Sequence, residues 1–107
     1  MKNALDYAQQ ALRFAERAMV EPDATEIRLE WLDTYKAGQR EAKRQLRITR
    51  TMRRNAWADA RWSTKCAAQH ARDARATRYA DWYRKDQARA ARLSAMDAAY
   101  YAGYAAA

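Results

Sequence analysis

The chain has 107 residues, with 21 Lys and Arg against 13 Asp and Glu and a formal charge of +8, which favours acidic partners over basic ones. Two Gly and one Pro are too few for the turns of a sheet protein, while Ala, Arg, Gln and Glu favour helix. A lone cysteine, Cys66, excludes an internal disulfide framework and suits a reducing cytoplasm.

The expected class is therefore all-α, in one domain. No apolar run is long enough to span a membrane, and the start, MKNALDYAQQ, has no apolar signal-peptide core. Much of the apolar half of the chain is alanine, and large aliphatics are few, so Trp and Tyr must supply core volume. Burying a large side chain yields roughly 1.5–3 kcal/mol, against about 1–2 kcal/mol to order each residue's backbone. A monomer on these terms is marginal, and self-association into a homo-oligomer is expected. The Ala and Arg bias is that of a GC-rich bacterial or phage genome.

In chain order, a first helix is expected over about 4–19, capped by Asn3, with Asp6 in its first turn. Leu5, Ala8, Leu12, Ala15 and Met19 make one heptad stripe, and Ala4, Tyr7, Ala11, Phe14 and Ala18 its neighbour. Pro22 then breaks the helix. Asp23, with Glu26 three residues on, has capping-box spacing for the next one.

No proline follows, and one long central helix is expected over about 23–60. Its packing seam is Trp31, Tyr35, Gly38, Ala42, Met52 and Ala56, with Gln45 and Thr49 at intervening positions where a strong coiled coil would carry Leu or Ile. Gly38 costs about 1 kcal/mol in a helix. On the seam, its missing side chain would let a neighbour approach; a helix end at Gly38 is the rival reading. A break near RWSTK, capped by Ser63 or Thr64, leads to a last helix over about 65–102, and residues 103–107 form a frayed tail. The whole reads as a three-helix antiparallel hairpin or bundle, coiled-coil-like along its long helix.

Charge is concentrated along the chain. Residues 1–35 carry −3, residues 36–54 carry +7 and residues 55–107 carry +4. Lys36, Arg40, Lys43, Arg47, Arg50 and Arg54 are spaced 4, 3, 4, 3 and 4 apart, which puts them on one face of a continuous helix. Arg44 and Arg53 add to that surface. Acidic residues ahead of basic ones also suit the helix dipole, but only in the terminal turns. Six cations in a line repel one another unless an anion sits there.

Two partners follow for these eight residues. One is nucleic acid, held by its phosphates with strong salt dependence. The other is an acidic protein surface, contacted by an interaction module of the phage-inhibitor or assembly-factor type. Arg outnumbers Lys sixteen to five, which favours bidentate contacts to phosphate or carboxylate. Trp57, Trp62, Tyr79, Trp82 and Tyr83 lie near Arg61, Arg78 and Arg84; core packing is their expected use, since base stacking would require them exposed.

No catalytic, metal or cofactor site is expected. Cys66, His70 and Asp73 share a helix face, but three ligands without a fourth make a weak zinc set. A Gly-rich phosphate loop is absent, and no small-molecule substrate is implied. The sequence-level expectation is a non-enzymatic basic binding protein.

Overall fold

The computed structural model describes residues 2–18 and 24–107. It holds four helices: α1 (Ala4–Ala18), α2 (Thr25–Arg44), α3 (Arg50–Arg75) and α4 (Asp81–Ala106). The all-α class is as expected, but there are four helices where three were expected. Pro22 and Asp23 of the first expected turn, and Met19 before it, lie outside the described residues.

The long central helix is two helices. α2 ends at Arg44, Gln45 turns extended, and Thr49 caps α3 by accepting a hydrogen bond from the Met52 backbone N–H at 3.1 Å. The physical reason lies in LRIT: β-branched Ile48 and Thr49 favour extended backbone, and Thr gains a cap bond by leaving the helix. The polar seam positions Gln45 and Thr49 are the two caps of the break.

The expected break at RWSTK does not occur. α3 runs through it, and Ser63 and Thr64 are buried mid-helix. The Thr64 hydroxyl lies 2.8 Å from the carbonyls of Tyr7 and Ala60, so it ties α3 to α1 rather than starting a new helix. The turn falls at residues 76–80 instead. There the Arg84 guanidinium donates to the Ala74 carbonyl at 3.0 Å, satisfying one of the orphan acceptors at the end of α3. The expected frayed tail is also overturned, since α4 continues to Ala106 and Gly103 is buried.

The N-terminus of α1 forms a reciprocal cap. Asn3 Oδ1 accepts from the Asp6 N–H at 2.8 Å, and Asp6 Oδ2 accepts from the Asn3 N–H at 3.2 Å. The buried stripe of α1 is Ala4, Ala8, Ala11, Ala15 and Ala18, while Leu5, Leu12 and Phe14 are half-buried beside it.

Alanine dominates the core throughout. Ala60, Ala67, Ala71 and Ala74 of α3 share the core with Ala91, Ala95, Ala98, Ala99 and Ala102 of α4. Among the described residues Ile27, Trp31 and Met96 add buried bulk, and Leu5, Leu12, Phe14, Tyr35, Trp57 and Tyr101 pack half-buried against it. Small side chains bury little area each, so cohesion comes from close backbone approach and the dispersion it brings.

Helix α4 is the centre, packing on all three others. α1 also packs on α3 but barely meets α2, while α2 and α3 do not pack together at all. The molecule measures 48 × 23 × 21 Å. Helices α2 and α4 run side by side in the same direction, with Arg92 bridging to Glu30 and Glu26 at one end of the contact. At the other end the two glycines meet. A Cβ on Gly38 would lie 2.0 Å from the Tyr100 carbonyl oxygen, and one on Gly103 would lie 2.0 Å from that of Tyr35. Gly38 thus sits inside α2 at a helix crossing, not at a helix end.

Two indoles fasten the remaining contacts. Trp31 donates to the Ala8 carbonyl at 3.0 Å and stacks on Tyr35. Trp57 donates to the Lys2 carbonyl at 2.9 Å and packs edge-on against Tyr7.

Candidate nucleic-acid interface

The cation series is exposed along its whole length, but the break bends it. Lys36, Arg40 and Lys43 stand on the outer face of α2, with Arg44 beside them. Arg47 lies in the connecting loop, and Arg50, Arg53 and Arg54 open α3. They form a basic end of the molecule rather than a straight line on one helix. Of these eight, Arg44 alone forms an ion pair among the described residues, to Glu41 at 3.4 Å. The other seven carry no internal counter-charge, so the fold leaves them to solvent and its anions.

Three of the acidic residues that precede them pair elsewhere. Glu16 pairs with Arg28 at 2.8 Å, and Glu26 and Glu30 both face Arg92. The hydrogen bond from Arg92 to Glu30 holds the guanidinium's pKa above its ordinary value, against the opposing effect of burial.

Because α3 is unbroken to Arg75, the register of Arg50 and Arg54 carries on through Arg61, Lys65 and Arg72, all exposed. The series expected from the sequence ends at Arg54; the continuation shifts by one residue, with Ala58 and Ala68 in the gaps and spacings of 4, 4, 3, 4, 3 and 4. Of the α3 carboxylates, Asp59 falls on the far side of the helix by its periodicity, and Asp73 lies about a quarter-turn from Arg72. The basic face of α3 spans most of its length of about 39 Å at 1.5 Å per residue.

The seam residues take a different part. Trp31, Gly38, Ala42 and Ala56 are buried, and Tyr35 and Met52 half-buried, as residues that pack the two basic helices onto the bundle.

Core packing does not account for all the aromatics. Trp62 and Trp82 are 67% and 71% exposed. Tyr79 and Tyr83 are half-buried, with ring centroids 4.8 Å apart, and the Arg78 guanidinium lies 4.7 Å over the Tyr79 ring. Trp57 is half-buried, with Arg61 5.8 Å from its ring. The expectation of burial fails for these two tryptophans, which stand on exposed faces of α3 and α4, whereas Trp31 is buried in the core.

Cys66, His70 and Asp73 do not converge on a site. His70 Nδ1 lies 2.7 Å from Gln87 Oε1 and joins α3 to α4. Among the described residues no three His, Cys, Asp or Glu side chains are placed to hold a metal ion, and no helix is long and apolar enough to cross a membrane. Comparison with protein-family models, with curated proteins and with solved structures finds no match to this chain.

Proposed function

We propose that the chain is a small, non-enzymatic basic protein that holds nucleic-acid phosphates through Lys36, Arg40, Lys43, Arg44, Arg47, Arg50, Arg53 and Arg54, continued by Arg61, Lys65 and Arg72, without reading sequence. The observation that carries this reading is the exposure of Lys36, Arg40, Lys43, Arg44, Arg47, Arg50, Arg53 and Arg54, together with the lack, among the described residues, of ion pairs for all of them but Arg44. Unpaired surface cations gain from a polyanion by releasing its counterions, and arginine meets phosphate with two parallel hydrogen bonds. Helical side chains spread over a face without a groove-reading element suit backbone contact more than base readout.

The test is Arg47→Glu/Arg50→Glu/Arg54→Glu, titrated against random duplex and single-stranded DNA beside the wild type. Affinity falls by at least tenfold on this reading, and unchanged affinity would sink it.

A second reading, docking on an acidic protein surface or on another copy of the chain, is favoured by a separate observation. Leu29, Leu32 and Leu93 are 58%, 41% and 65% exposed on α2 and α4, apolar side chains that a partner surface could cover. A pull-down from lysate with and without nuclease separates the two. Partners lost on nuclease treatment support the first reading, and proteins retained after it support the second.

A further inference from the structure

The basic end holds one feature that phosphate contact does not use. α1 begins at Ala4, where it meets the end of α4. Tyr35 of α2 and the first turns of α3 stand beside that start without a helix between them, since α2 and α3 do not pack together. An open groove of about 660 Å³ results. Its floor is Ala102, Ala105 and Ala106, its walls include Tyr35 and Trp57, and Arg50, Arg53 and Arg54 stand on its α3 side. Among the described residues that line it there is no Asp or Glu. The Trp57 N–H is already given to the Lys2 carbonyl, so the indole offers no free donor.

Three occupants can be weighed by chemistry. A nucleobase would bring donors and acceptors to a floor of alanine methyls, which leaves them without partners and disfavours it. A second copy would bring a like-charged end, on a chain of charge +8, against three unpaired arginines. An anion with an apolar tail meets both halves of the site: carboxylate oxygens take two guanidinium hydrogen bonds, and the tail covers alanine and indole carbon. The volume lies in the range of about 300–1,000 Å³ usual for small-molecule sites, which are mostly apolar with a few charged groups.

We propose that this groove binds a single free long-chain carboxylate, its head on Arg50, Arg53 and Arg54 and its chain along Ala102, Ala105, Ala106 and Trp57. The site shares Arg50, Arg53 and Arg54 with the proposed phosphate surface and differs from it in requiring the apolar floor.

The experiment is calorimetric titration of the full chain with decanoate below its micelle concentration, with decanol, acetate and a hexaglutamate peptide in parallel. Decanoate saturates at one per chain, and acetate, decanol and hexaglutamate bind at least about tenfold more weakly. Arg50→Gln/Arg53→Gln/Arg54→Gln weakens decanoate by a similar factor. Ala106→Trp fills the floor at an exposed position; its helical circular dichroism is unchanged and its decanoate binding lost. Decanol matching decanoate, hexaglutamate exceeding it, the absence of one-to-one saturation, or a folded Ala106→Trp chain that binds decanoate normally would each overturn the assignment.

Discussion

Gly38 and Gly103 lie against each other's helices, each where the other chain segment's backbone carbonyls, Tyr100 and Tyr35, leave no room for a methyl group. They are the two glycines of the sequence, and neither has a positive φ. Their role is space, not backbone freedom. In an isolated helix, Gly→Ala gains about 1 kcal/mol. Here the added Cβ overlaps a carbonyl, and overpacking of that kind costs about 1–3 kcal/mol. Gly38→Ala and Gly103→Ala each lower the urea midpoint, and a rise in either would contradict the crossing.

Burial and side-chain size are inverted relative to an ordinary core. Ala95 is fully buried, while Leu93, two residues away, is 65% exposed. Ala95→Leu therefore costs about 1–3 kcal/mol or more by overpacking, whereas Leu93→Ala stays within about 0.5 kcal/mol of wild type. Thermal denaturation of the two variants checks the contrast.

The break between the basic helices depends on Thr49, whose hydroxyl oxygen accepts from the Met52 N–H. Thr49→Ala removes the cap at a cost of about 0.5–2 kcal/mol. Thr49→Asp, which keeps an acceptor at the helix N-terminus, is expected to be close to neutral. Equal losses in both would argue that the cap bond contributes nothing.

Among the described residues Asp97 on α4 has no hydrogen-bond or ion-pair partner, and desolvation of its carboxyl raises its pKa above the usual value. A raised acid favours the protonated folded state, so its contribution is most favourable at low pH and is lost as pH rises through the folded pKa. Asp97→Asn accordingly raises the melting temperature at neutral pH, and the gain fades below about pH 3, where both states are protonated. A gain independent of pH would show that charge is not the cause.

Much of the fold can be seen in the residues, and the failures have physical causes. Scarce Gly and Pro indicated helices, and the Asn3–Asp6 cap forms where the spacing placed it. The stripe Ala4, Ala8, Ala11, Ala15, Ala18 could be seen as an apolar face, but not that alanine rather than leucine would take its buried centre. Gln45 and Thr49 carried the signal of the α2–α3 break, but the 4-3 spacing runs through them, and periodicity alone cannot distinguish a cap from a polar seam position. The turn at residues 76–80 has no Gly, Pro or Asn to mark it. It is held by Arg84 reaching the Ala74 carbonyl, a contact that exists only once the helices have folded back. Ser63 and Thr64 resemble caps in sequence, but Thr64 reaches the Tyr7 carbonyl, a partner far off in the chain. The cations could be placed residue by residue; their bent arrangement and the continuation along α3 depended on where the helices end.

The proposed function is tested most directly by the salt dependence of binding to random duplex DNA. The observed binding constant falls with salt as about −0.9 times the number of phosphates neutralised. Contact by four to eight of the exposed cations gives a log–log slope of about −4 to −7 for the wild type. Arg47→Glu/Arg50→Glu/Arg54→Glu makes that slope shallower by about 3, near 1 for each lost phosphate contact. A slope near zero, or one that the triple variant leaves unchanged, would contradict phosphate binding by this surface.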